Sequence, residues 1–195
     1  MIGRKKPKKE IKKPKFRKAD IFIWPWIAPA KRHRGPYFRL VREIASLLEI
    51  KKGDRVLETH CGIIPHFRVW KAAVGKEGRM IAIDLDPFAV RASKAIESVY
   101  TRKKNRTDIR VADAENLPFP DKSFNKYIMV FPDELTEKVM SEMYRVLEPG
   151  GLAFIKTDPD EIFDALKYWG FMKKFKVLKS QFHSRKTQSV VLKKI

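Results

Sequence analysis

From residue 36 onward the chain alternates between two hydrophobic rhythms. "GPYFRLVREIASLLEI" sets apolar residues at helical spacing behind a proline start, which predicts a helix, and "KKGD" predicts the turn after it. "RVLET" is a short apolar run that predicts a buried strand. "PHFRVWKAAVG" returns to helical spacing and stops at Gly75. "RMIAID" predicts a second strand, and "PFAVRASKAIESVYTR" a helix opened by a first-turn proline. "DIRVAD" and "KYIMVF" read as strands three and four. "DELTEKVMSEMYRVL" predicts an amphipathic helix with acids in its first turn, closed by "EPGG". "LAFIKT" follows as a fifth strand, and "PDEIFDALKYWG" as a helix stopped at Gly170. The period then becomes strict alternation: "KKFKVLKS" and "KTQSVVLKK" predict two consecutive strands with a short connection, a closing hairpin.

Short apolar strands alternating with helices predict an α/β fold of the Rossmann-like, doubly wound kind. Its sheet should be seven-stranded, mainly parallel, covered by helices on both faces, and finished by the antiparallel hairpin. The stretch before residue 36 reads differently. Residues 1–20, "MIGRKKPKKEIKKPKFRKAD", form a Lys/Pro-rich basic arm that cannot bury apolar surface by itself; it should be disordered or bound along RNA. Residues 21–35, "IFIWPWIAPAKRHRG", read as an aromatic and basic strap, with Trp24 and Trp26 packing on the domain surface. Residues 36–195 form the folded domain.

Composition narrows the class. The chain has 195 residues, 44% of them hydrophobic, enough for one domain with a real core. A single cysteine excludes a disulfide framework and points to a reducing, cytoplasmic setting. The longest membrane candidate, "IFIWPWIAPA", is ten residues with two prolines, and no secretory signal is recognisable. The histidines at 33, 60, 66 and 183 have no zinc spacing with the lone cysteine, so no metal is expected. Two Gln and three Asn among many Lys, Arg and Glu fit a thermophilic, archaeal-like source.

Charge changes the picture most. Residues 1–40 carry 14 Lys/Arg against Glu10 and Asp20, a net +12, whereas residues 41–164 come to −1. Residues 165–195 carry nine basic side chains and no acid. A neutral body between two cationic ends predicts a polyanionic partner, and RNA is the one expected. The candidate RNA-binding residues are Arg4, Lys5, Lys6, Lys8, Lys9, Lys12, Lys13, Lys15, Arg17 and Lys18 on the arm, with Lys31, Arg32 and Arg34 on the strap.

Five βα units followed by a hairpin resemble the class I S-adenosylmethionine-dependent methyltransferases, in their type 11-like form, over residues 36–195. "VLETHCGIIP" looks like the family's first motif, a V-L-D-x-G-C-G-x-G turn. "IAIDLDP" looks like the second, whose acid ends strand two. "DAENLPFPDKSFN" is similar to the segment that contacts adenine, and "RVLEPGG" to the turn before strand five. The resemblance implies that Glu58, Cys61 and Gly62 form the cofactor turn. It implies that Asp84, 22 residues after Gly62, accepts the ribose hydroxyls. Asp113 would accept from the adenine amino group, with Ala114 leaving room for the ring; Asp113 reads equally as a cap ahead of "AENLP".

Laid on this sequence, the motif wants glycine at 60, 62 and 64, where backbone meets ligand at positive φ. Only Gly62 matches. His60 tolerates the left-handed region, but β-branched Ile64, further restricted by Pro65, does not. The expectation is a degenerate glycine loop that binds S-adenosylmethionine weakly or not at all. Catalytic residues are not identified beyond Asp133, in a "FPDE" stretch that resembles the "FPDP" of transfer-RNA guanine-7 methyltransferases; Asp133 reads equally as a helix N-cap. The function expected is an RNA-binding protein of methyltransferase fold, associated with ribosomal RNA and ribosomal proteins, with or without catalysis. The alternative is an active methyltransferase of ribosomal or transfer RNA.

Overall fold

A computed structural model of the chain describes residues 36–63, 67–100, 107–132, 134–158, 161–184 and 187–195. Seven strands form one sheet: β1 (Arg55–Thr59), β2 (Arg79–Asp84), β3 (Asp108–Val111), β4 (Phe124–Val130), β5 (Leu147–Thr157), β6 (Phe175–Ser184) and β7 (Thr187–Lys194). Their order is β3-β2-β1-β4-β5-β7-β6. The first five pair in parallel; β7 runs antiparallel to both β5 and β6. The helices described are α1 (Pro36–Leu47), α2 (Phe67–Val74), α3 (Pro87–Tyr100), α4 (Glu137–Val146) and α5 (Glu161–Tyr168), with a 3-10 turn over Phe171–Lys173.

The alternation of side chains along each strand divides the core into two layers. On one face Leu57, Ile81, Tyr127, Met129 and Ile155 pack against Val139, Met140 and Met143 of α4 and Ile162 and Leu166 of α5. On the other, Val56, Met80, Ala82, Ile128 and Phe154 meet Val41 and Ile44 of α1, Trp70 and Val74 of α2 and Val90 of α3. Strands buried on both faces explain why β1 and β2 read as continuous apolar runs and why their bounds match the sequence reading.

Two boundaries differ from expectation. The N-cap of α4 is Thr136, whose Oγ1 accepts the Val139 N–H at 3.2 Å, so the helix starts at Glu137 and Asp133 is not its cap. "EPGG" does not close the helix as a turn; it lies within β5. Pairing jumps from Phe124↔Leu147 to Lys126↔Leu152, and Gly150 takes φ 79 inside the resulting bulge. Just before β4, Arg145 on α4 pins the loop by donating to the carbonyls of Leu117 (2.9 Å) and Phe119 (2.7 Å) while pairing with Asp121 and Glu142.

Trp70 is fully buried between α1 and the sheet, and its Nε1–H donates to the Val41 carbonyl at 3.0 Å. Trp70→Ala is expected to lower the free energy of unfolding by about 3–5 kcal/mol, read as a lower urea midpoint. A loss under about 1 kcal/mol would show that this helix layer contributes little to stability.

Candidate functional site

The strand order reverses between β1 and β4, and in open parallel sheets the crevice for ligands lies beyond the carboxyl ends at that reversal. At the end of β1, Glu58 is 1% exposed, and the hydroxyls of Thr59 and Tyr127 lie 3.0 Å apart beneath the turn. The turn itself is left-handed twice, at His60 (φ 57) and Gly62 (φ 59). Histidine therefore adopts the conformation that the family pattern assigns to glycine at position 60. Ile64, Pro65 and His66 lie outside the described residues.

The turn is tied to β2 by backbone donors. The Cys61 N–H donates to the Ile83 carbonyl at 3.1 Å, and the Gly62 N–H to Asp84 Oδ2 at 2.8 Å. Asp84 Oδ1 accepts the Asp86 N–H at 2.9 Å, and its carbonyl accepts the Ala112 N–H at 3.0 Å. From α3, the Ser93 hydroxyl donates to the Gly62 carbonyl at 2.7 Å. A Cβ placed on Gly62 would meet no described residue within 4 Å.

A sequence-family model described as a methyltransferase domain matches residues 56–151. The demethylmenaquinone methyltransferase of Listeria welshimeri is 32% identical over 127 residues, 62% of this chain and 52% of the relative. The ubiquinone/menaquinone biosynthesis C-methyltransferase UbiE of Neisseria meningitidis is 36% identical over 112 residues, 54% of this chain and 43% of the relative. The chain thus spans about half the length of the curated relatives it matches. A S-adenosylmethionine-dependent methyltransferase from Aquifex aeolicus superposes with a TM-score of 0.70 at 18% identity, covering 93% of this chain and 100% of that one. The chain belongs to the class I S-adenosylmethionine-dependent methyltransferase family.

Within this methyltransferase domain the remaining candidates separate. Asp84 is half-buried at the sheet's carboxyl edge, where the resemblance places the ribose acceptor. Asp113 is exposed and caps a turn: its Oδ1 accepts the Glu115 N–H at 2.8 Å and its carbonyl the Asn116 N–H at 3.2 Å. Ala114 is buried in the α4/α5 core layer. Cys61 is also buried; desolvation, then the nearby Glu58 and Asp84 carboxylates, push its thiol pKa well up. Asp133 lies outside the described residues, as do all the arm and strap candidates from Arg4 to Arg34. On the hairpin side, Lys173, Lys174, Lys176, Lys179 and Lys193 are exposed. Lys194 instead turns inward, donating to the carbonyls of Tyr144 (2.6 Å) and Leu147 (2.7 Å). Among the described residues no group of His, Cys, Asp and Glu could hold a metal, and no helix is long and apolar enough to cross a membrane.

Several cleft residues escaped the sequence reading. Leu85 is 62% exposed immediately after Asp84, and Val111, paired in register with Asp84, is 50% exposed. Phe131, just past β4, is 51% exposed with φ 53. Large apolar residues set directly beyond the carboxyl ends of buried strands were the signal available.

Cys61 is expected to resist iodoacetamide at about pH 8 in the folded chain and to react fully in guanidinium, followed by intact mass. Rapid labelling of the folded chain would show that the turn opens in solution.

Proposed function

We propose that the chain is a S-adenosylmethionine-dependent methyltransferase acting on a structured RNA, ribosomal or transfer, with ribosomal particles among its partners. The observation that carries the cofactor part is the clamp at Asp84: the turn that is left-handed at His60 and Gly62 is tied to its carboxylate by the Gly62 N–H, and no described residue lies within 4 Å of where a Cβ on that glycine would sit. The donor set fits the group. Each Asp84 oxygen accepts one backbone N–H, which leaves lone pairs for a ribose diol. Leu85 and Val111 offer apolar surface on either side of that carboxylate for the adenine ring. Asp113 keeps acceptor capacity beside its capping bond for the adenine amino group. Bound S-adenosylmethionine supplies a sulfonium-activated methyl group. The protein's task is to hold the acceptor in line with it, a matter of position more than of acid–base chemistry.

The RNA part rests on the +12 of residues 1–40 and on the exposed lysines of the hairpin. Cations in these two flanking segments of the sequence would attract phosphates and release their counterions. A second reading, in which the acceptor is a small quinone-type ring, is favoured by the names of the two curated relatives. It leaves the charged ends without a role.

Calorimetry with the purified full chain is expected to give a low-micromolar dissociation constant for S-adenosylmethionine, and Asp84→Ala to weaken it by about 1–3 kcal/mol or more. No heat of binding in the wild type would overturn the enzyme reading and return the domain to RNA binding alone.

Affinity for ribosomal or transfer RNA should fall steeply with salt, with a slope near 0.7–0.9 per phosphate neutralised. Deleting residues 1–20, which carry ten basic side chains, should flatten that slope. An unchanged affinity and slope would show that the arm makes no phosphate contact.

A further inference from the structure

The closing hairpin gathers three cations on one face of the sheet. In the β6/β7 ladder Lys176 pairs with Lys193, Val177 with Leu192 and Lys179 with Val191. Directly opposed residues of an antiparallel ladder project from the same face, as do alternate residues of one strand. Val191 belongs to the core layer under α1, α2 and α3, so Lys193, Lys176 and Lys179 all project on that side. On a regular strand Lys176 and Lys179, three positions apart, would point to opposite faces. The bulge between Val177 and Lys179 brings the second onto the face of the first. All three are exposed, as is Gln181, which continues the row opposite Ser189.

This arrangement costs the fold something, because like charges directly opposite each other destabilise a ladder. Among the described residues none of the three lysines pairs with a carboxylate, and residues 165–195 contain no acid. Lysines on β6 keep an outermost strand from pairing with other chains. Lys193 has no such use, because β7 is flanked by β5 and β6.

We propose that this face of the hairpin is a docking surface for the phosphate backbone of double-helical RNA. Lys176 and Lys193 hold one phosphate between them, which turns their mutual repulsion into a shared attraction. Lys179, two strand residues further at about 6.8 Å, takes a neighbouring phosphate. The row holds no aromatic ring, so it grips backbone and reads no bases. Exposed Arg39 and Arg42 on α1 extend the positive charge on this side of the sheet. The row also has a direction. Lys193 is level with Leu152 on β5, whereas Ser189 and Gln181 are level with Lys156 near its carboxyl end. A duplex lying along it is led toward the crevice. The inference rests on the RNA part of the proposed function and gives that part a place on the fold.

The test measures binding of a double-stranded RNA oligomer by the full-length chain over a series of salt concentrations. Lys179→Gln is expected to flatten the slope of log affinity against log salt by about 0.7–0.9, the loss of one phosphate contact. Lys176→Gln or Lys193→Gln alone should flatten it less, because the remaining ammonium keeps the shared phosphate. The two together should match Lys179→Gln. At low salt each of these two single variants should also melt at a higher temperature than the wild type, since repulsion across the ladder is relieved. Weaker binding with higher stability is a combination that a purely structural lysine would not give. Unchanged affinity and slope when all three lysines become glutamine overturns the proposal; if deleting residues 1–20 still flattens the slope, the RNA reading survives without this surface. Self-association of Lys176→Gln and Lys179→Gln with RNA binding intact leaves edge protection as their role and also sinks it. So does saturable binding of polyglutamate or phosphatidylserine vesicles, but not RNA, that the triple substitution abolishes: the face then belongs to an acidic protein or a membrane. No RNA binding by the wild type at any salt removes the surface and the RNA reading together.

Discussion

Two backbone N–H groups, those of Gly62 and Asp86, converge on the Asp84 carboxylate, and the shape of the crevice follows from that convergence. The first fixes the turn after β1 against the end of β2. The second folds the chain back into α3, whose Ser93 then reaches the Gly62 carbonyl. A charged acceptor with two backbone donors is held more firmly than a neutral one would be, because charge-assisted bonds are the stronger kind. The clamp joins segments 22 residues apart in sequence and sets a fixed wall on one side of the strand reversal.

The order of elements was legible because the parallel strands are buried on both faces and so appear as uninterrupted apolar runs. Arg55–Thr59 and Arg79–Asp84 could be bounded to the residue. What failed did so for local reasons. Gly150 and Gly151 suggest a turn, but here they bend a strand, and only the register with β4 reveals it. Thr136 took the capping role because its hydroxyl reaches the Val139 N–H, a choice among Asp133, Glu134 and Thr136 that composition does not decide. Within the site, Asp84 and Gly62 carry recognisable motifs. Phe131 opens the "FPDE" stretch, but its nearness to Lys156 was not legible there, since it depends on β4 and β5 being neighbours and on one backbone angle.

The family match covers residues 56–151, which includes the clamp, the strand reversal and both apolar residues flanking Asp84. It excludes the basic arm and the hairpin. The shared part is thus the half of the molecule that suits a nucleoside cofactor. Most of what distinguishes this chain, including its charge asymmetry, sits in the flanks. That division is the one expected when a common chemistry is directed to different acceptors by its surroundings.

β7 is flanked on both sides, by β5 and β6, and six of its eight residues are buried. During biosynthesis, β5 therefore waits without its second neighbour until residues 187–194 have been made. In that interval a nascent chain already holding β1 to β5 presents an open, unpaired strand bearing Phe154 and Ile155, the kind of edge that other chains can pair with. The parallel half of the sheet can assemble early, but the protein is protected from its neighbours only once a segment about 30 residues further along folds back into the gap.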